Sequence, residues 1–247
     1  MDSLRRAEGR RPGFSGPLRR IAAALASLVL FSAAAPVRPP SEPAGDAPPA
    51  PYTYSLGAFA PKYTPPAPGS YTLPVIQKVR DHALLDAGGR ETSLFALKRA
   101  RPAIVAFVYT SCAQTNGCPL SMAVLHRLDR ELAADRALAE RVALITISFD
   151  PDRDTPERLA EVRELHHPKA DWRFATTSGE AALQPLLADF DQSAAKLRFP
   201  DGRWSGLIRH VLKVFLVDDE NRVRNIYSVG FLDADLLLAD LRTLLGK

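Results

Sequence analysis

Two cysteines, Cys112 and Cys118, stand with five residues between them, and they are the only two in the chain. A continuous apolar run, Ile104 to Tyr109, ends just before the first, and Pro119 directly follows the second. The run is rich in β-branched and aromatic residues, as a strand buried on both faces of a parallel sheet requires. Proline suits the first turn of a helix, where its missing N–H is not needed. Cys118 therefore falls at a helix N-terminus, where the dipole and free backbone N–H groups stabilise a thiolate and lower its pKa. Open α/β sheets also build their sites at the carboxyl ends of strands. Asn116-Gly117 is a turn dipeptide that lets the chain reverse and brings the sulfurs together. This geometry permits either a disulfide or a shared metal. A disulfide across so small a loop contributes only about 2 kcal/mol of chain entropy, a modest staple for a domain this large. The spacing excludes a CxxC redox motif. Zinc takes four protein ligands, or three and a water, which the thiols alone do not supply.

Other ionisable residues carry weaker signals. Asp150, Asp152 and Asp154 have the look of a hard-metal loop, but Pro151 and the helix start at Thr155-Pro156 assign them to shaping a turn and complementing a helix dipole. Asp150 is the exception, a carboxylate at a strand end beside the cysteine loop, placed to tune thiolate charge. His166 and His167 end a helix, where adjacent side chains do not face one ligand, and are expected at the surface. His126 lies two turns beyond Cys118, roughly 12 Å along the helix and too far for one coordination sphere. His82 has no partner in sequence. His210, taken alone, is an ordinary histidine at a strand start.

Ala83 to Leu94 reads as a hairpin, because Gly88-Gly89 supplies the positive φ of a tight turn. In the helix opened by Pro119, Met122, Leu125, Leu128 and Leu132 recur at three- and four-residue spacing. Val142 to Phe149 is a second buried strand. Thr155 caps a helix with Leu159, Val162 and Leu165 on its buried stripe. Trp172 to Thr176 is a third strand, and Ser178 to Phe190 a helix that Pro185 should kink or divide. Val211 to Val217 and Val223 to Val229 form a hairpin, after which Asp233 caps a last helix burying Leu237, Leu241 and Leu244. The order βαβα followed by ββα predicts an α/β, thioredoxin-like fold, with an N-terminal β-hairpin extension and an inserted segment, Asp191 to Arg209, before the C-terminal ββα unit.

These elements occupy residues 75–247. Residues 1–20 carry six arginines, and Ile21 to Ala35 runs fifteen residues without a charge, the layout of a secretory signal. As a helix that run rises about 22 Å against a hydrocarbon core of about 30 Å, so it reads as a cleaved signal before it reads as a membrane anchor. Residues 36–74 hold twelve prolines in 39 residues and form a semi-rigid spacer, whose aromatics (Tyr52, Tyr54, Phe59, Tyr63, Tyr71) are expected to dock on the domain. The formal charge of +4 resides entirely in residues 1–34. The remainder has 26 basic and 26 acidic side chains and no bulk field for a polyanion, which removes the main argument for nucleic-acid binding.

Three stretches resemble the Sco/SenC family of thioredoxin-like, copper-handling proteins of cytochrome c oxidase assembly. They are Phe107-Val108-Tyr109-Thr110-Ser111-Cys112 with Cys118-Pro119-Leu120, Ile147 to Pro156 with its Asp-Pro-Asp-Arg-Asp-Thr-Pro, and His210 ahead of Val211 to Asp218. The resemblance implies one copper, Cu(I) or Cu(II), held by Cys112, Cys118 and His210. It implies a metallochaperone delivering copper to the dinuclear copper site of the oxidase subunit, or to a similar cuproprotein. The alternative is a thiol-disulfide oxidoreductase in which Cys112 and Cys118 are the redox pair, reducing the cysteines of the subunit or of another exported partner and served by a thiol reductant. A thiol peroxidase and a merely stapled scaffold stand behind these two. Soft thiolates suit Cu(I), and an added imidazole accommodates Cu(II) as well. The family usually has three residues between its cysteines where this chain has five, and Ser or Thr after the histidine where this chain has Val211. The location implied is exported: the periplasm or the periplasmic face of the inner membrane in a bacterium, with membrane association through the N-terminus, or the mitochondrial intermembrane space in a eukaryote.

Overall fold

The computed structural model describes residues 63–114 and 116–246. Strand β1 (Gln77–Lys78) precedes a hairpin of β2 (Ala83–Asp86) and β3 (Glu91–Ser93), with Gly89 at φ +74° in its turn, and a short helix α1 (Leu94–Lys98). Then come β4 (Ala103–Val108), α2 (Cys118–Ala134), α3 (Arg136–Ala139), β5 (Ala143–Ser148), α4 (Pro156–His166), β6 (Trp172–Thr176) and α5 (Glu180–Asp189). The chain closes with β7 (Ala194–Arg198), β8 (Trp204–His210), β9 (Val214–Val217), β10 (Arg222–Tyr227) and α6 (Ala234–Leu244). One sheet has the order β1-β10-β9-β4-β5-β6-β2-β3, and β7 pairs with β8 in a separate two-stranded sheet. β4, β5 and β6 are parallel, while β9 runs antiparallel to β4. This is the thioredoxin-like α/β arrangement.

Every residue of β4 and β5 is buried, which explains their unbroken apolar sequences. The α2 stripe of Met122, Leu125, Leu128 and Leu132 is buried too. Thr155 accepts the Arg158 N–H to cap α4, and Asp233 accepts the Asp235 N–H to cap α6. The end of the proline-rich spacer is docked: Tyr63 Oη donates to the Phe231 carbonyl, Tyr71 Oη to the Asp240 carboxylate, and Thr243 Oγ1 accepts the Gly69 N–H. Tyr52, Tyr54, Phe59 and the leader at 1–35 lie outside the described residues. Among the described residues no helix is long and apolar enough to cross a membrane.

The structure departs from the sequence reading at four points. Pro185 leaves α5 continuous, because the proline and Ala181, the residue four positions earlier whose carbonyl loses its amide partner, both lie on the solvent side. The inserted segment forms the β7–β8 hairpin. His210 ends β8 rather than opening β9, which begins only at Val214. On α4 the buried stripe is Leu159, Val162 and His166, a spacing of three then four, while Leu165 is exposed.

His166 is therefore a core residue, 2% exposed, with ring centroids 4.9 Å from Trp172 and 5.7 Å from His126. Burial disfavours the imidazolium and pushes its pKa from 6.5 down to about 4. Between those values the unfolded chain binds the extra proton, so acidification favours unfolding. The stability His166 contributes is complete above pH 6.5 and is lost as pH falls to 4, a change on the order of 3 kcal/mol. Asp150, pushed up to about 6 by burial, acts with the opposite sign over an overlapping range and is common to any variants compared. Urea unfolding of wild type and His166→Gln from pH 7 to 4.5 is expected to show a steeper loss of stability in the wild type. Parallel pH profiles would contradict this account.

Candidate metal centre

β4 stops at Val108, and Tyr109, Thr110 and Ser111 carry the chain over the sheet edge to Cys112. The crossing is held by Asp154, which is buried and accepts the Thr110 N–H at 2.9 Å as well as the hydroxyls of Thr110 and Ser148. Burial is the largest influence on the Asp154 carboxyl, and its pKa is raised despite those donors. Asp154 thus joins the ends of β4 and β5.

The segment returns through Gly117, which occupies the N-cap of α2 and has no side chain with which to cap it. The first-turn amides are left for sulfur, and Cys112 Sγ takes hydrogen bonds from the backbone of Cys118 and Gln114. A Cβ on residue 117 would stand 3.2 Å from the Gln114 carbonyl oxygen and 3.4 Å from Cys112 Sγ, so a side chain there would crowd the close return and glycine fits it. Both cysteines are free thiols, exposed by 1% and 0%.

The two sulfurs differ. The thiol of Cys118 donates to Cys112, and this hydrogen bond, opposed by burial and assisted by His210 and the backbone donors, brings the Cys112 pKa down from 9.0 to about 4. Burial pushes Cys118 upward, and the adjacent Cys112 thiolate adds to that. At neutral pH the pair holds one thiolate and one thiol.

His210 comes from the other sheet. Its Nε2 lies 3.7 Å from Cys118 Sγ, and one donor atom from each of Cys112, Cys118 and His210 falls within 4.8 Å of the other two. Nδ1 donates to the Ile208 carbonyl at 2.9 Å, which turns Nε2 toward the sulfurs: protonated, it donates to the Cys112 thiolate, and once that proton leaves, its lone pair is free for a metal. Tyr109 and Phe149 pack on the imidazole with centroids 5.4 and 5.0 Å away. Burial opposes charge on His210, but the Cys112 thiolate and the Ile208 carbonyl outweigh it and the pKa is raised. The centre meets solvent at a cleft lined by Gln114, Asn116, His210, Val211, Leu212 and Val229. Two thiols and one oriented imidazole form a soft, three-donor site for a thiophilic cation.

The other acids and histidines stand apart. Asp150 hydrogen-bonds to none of the three donors, and Lys196 Nζ approaches its carboxylate at 3.7 Å. Asp152 also meets Lys196. His82 pairs with Asp189 at 2.8 Å, His126 and His166 belong to the aromatic cluster, and His167 ends α4 at φ 47°. Sequence reasoning did not assign Tyr109 and Phe149 to the imidazole, although each stands at the end of a buried strand. It had no signal for the Ile208 carbonyl.

A family model described as SCO1/SenC matches residues 75–246. Among solved structures, ScoI of Bradyrhizobium japonicum with copper bound is 23% identical, with a TM-score of 0.55 over 68% of this chain and 99% of that one. ScoI of Arabidopsis thaliana with copper bound is 20% identical, with a TM-score of 0.53 over 68% and 98%. The apo Sco1 protein of Thermus thermophilus is 25% identical, with a TM-score of 0.52 over 71% and 95%. No match is found among curated proteins.

The inequality of the sulfurs is measurable without metal. In the reduced protein, ultraviolet thiolate absorbance is expected to persist at pH 5 to 6. Cys112→Ser should abolish it in that range, and Cys118→Ala should move the transition upward toward 9.0 by removing the S–H donor. An absorbance step only near that value in the wild type would refute the assignment.

Proposed function

We propose, from the premise that this chain belongs to the SCO1/SenC family, that it binds one copper ion through Cys112, Cys118 and His210 and passes it by ligand exchange to a copper-bearing subunit of cytochrome c oxidase. The observation that carries the reading is the convergence of three soft and borderline donors within 4.8 Å. Copper is the cargo. Two thiolates suit Cu(I), and the imidazole extends the site to Cu(II). The copper-bound relatives in Bradyrhizobium japonicum and Arabidopsis thaliana support the metal chosen. The charged, apolar leader and a lipoprotein relative in Bacillus anthracis support an exported protein held near a membrane.

A second reading uses the same sulfurs, and the low pKa of Cys112 favours it. The Cys112 thiolate attacks a partner disulfide, giving a mixed disulfide and releasing one partner thiolate. Cys118, once deprotonated, displaces the second. The partner gains two electrons and this chain is left with a Cys112–Cys118 disulfide, which an external thiol must reduce.

Copper titration of the reduced protein separates the readings. The expected result is one Cu(II) per chain with a thiolate-to-copper charge-transfer band, lost in Cys112→Ala, Cys118→Ala and His210→Ala and kept in His126→Ala. Absence of stoichiometric copper in the wild type, with partner disulfide reduction unaffected by His210→Ala, would overturn the first reading in favour of the second.

A further inference from the structure

The two cysteines lie between β4 and the start of α2 while the histidine ends a separate two-stranded sheet, so something must hold the β7–β8 hairpin at the correct distance from the cysteine loop. Lys196 lies on β7 directly opposite Ile208 of β8, the residue whose carbonyl orients the His210 ring. Its ammonium reaches Asp152 at 2.6 Å, Glu180 at 3.5 Å and Asp150 at 3.7 Å. The Asp150 carboxylate is buried, and neither of its oxygens accepts a hydrogen bond among the described residues, so Lys196 is the cation placed closest to compensate it. The same turn sends Arg153 over the ring of Trp204 on β8, 3.7 Å from its centroid. Two residues after Asp152, Asp154 holds Thr110 beside the cysteine loop. Residues 150–154 thus grip the hairpin on one side and the cysteine loop on the other.

We propose that Lys196 is a positioning residue: seated among Asp150, Asp152 and Glu180, it locks the hairpin to the sheet and so holds His210 at coordinating distance from Cys112 and Cys118. This deepens the copper reading and rests on it for its consequence. Without the lock the hairpin loses its fixed seat and the imidazole leaves, while the two thiolates, carried by β4 and α2, stay in place. Cu(I), which two thiolates satisfy, is then retained, and Cu(II), which needs the imidazole, is released.

The test compares the full-length, reduced wild type with Lys196→Met, Lys196→Arg and the double variant Lys196→Met/Asp150→Asn. The double variant leaves no buried carboxylate without a cation and guards against simple misfolding. In the metal-free proteins, a slowly exchanging His210 Nδ1–H proton, seen by nitrogen-15 NMR, is expected in wild type and Lys196→Arg and absent in both methionine variants. With copper, both methionine variants should lose about tenfold or more in Cu(II) affinity, with a weakened charge-transfer band, and change by less than about threefold toward Cu(I). Persistence of the Nδ1–H signal in Lys196→Met would overturn the proposal. So would wild-type Cu(II) binding in the double variant, which would trace the single variant's defect to the uncompensated carboxylate. A wild type that binds no copper but shows the Nδ1–H pattern refutes the copper reading and leaves the positioning role standing.

Discussion

The hydrogen bond from Cys118 to the Cys112 thiolate is the interaction around which the site is organised. A buried negative sulfur is costly unless donors surround it, and here they are another thiol, two backbone amides and the Nε2–H of the protonated His210 ring. Each makes a structural demand. The Cys118 amide requires an uncapped helix start, and the tight return past Cys112 favours a residue without a Cβ, so both needs meet at Gly117. The loop itself must not drift, and the buried carboxylate of Asp154 holds its root at Thr110.

The third donor has a different origin. Cys112 and Cys118 inherit their positions from β4, which is buried along its whole length, and from α2, whose inner face lies in the core. His210 stands at the end of a two-stranded sheet whose outer face is wet and carries exposed Leu197, Phe199 and Leu207. Its ring is fixed by the Ile208 carbonyl and the flanks of Tyr109 and Phe149. The turn at 150–154, closed by the Asp150 carbonyl accepting the Arg153 and Asp154 amides, also bridges the two parts, through Lys196 and Trp204 to one and Thr110 to the other. The pair is thus set by the core, and the third donor by a separately seated hairpin.

Much of this was legible in the residues. Buried strands, capped helices and the placement of the cysteines between β4 and α2 follow from short-range patterns, and family resemblance marked His210. Other features were not. Leu165 and His166 are neighbours on α4, and an apolar leucine was the natural choice for the buried stripe, yet the helix turns His166 toward Trp172 and leaves Leu165 in water. Pro185 reads as a break until the solvent side on which it lies is known. The residues from Asp191 to Arg209 read as surplus, and only pairing with one another makes them a hairpin.

The sequence by itself determined what local physics can encode: which segments are strands and helices, that two thiols meet at a helix start beside a strand end, and that the net positive charge lies in residues 1–34. Only the tertiary structure decided which way the His210 imidazole faces, how its approach is held, and why one thiol becomes a thiolate. Residues within a helical turn or a tight loop constrain each other directly. His210 is 92 positions from Cys118, and their contact at 3.7 Å exists only because the order of the strands and the seating of a separate hairpin bring them together.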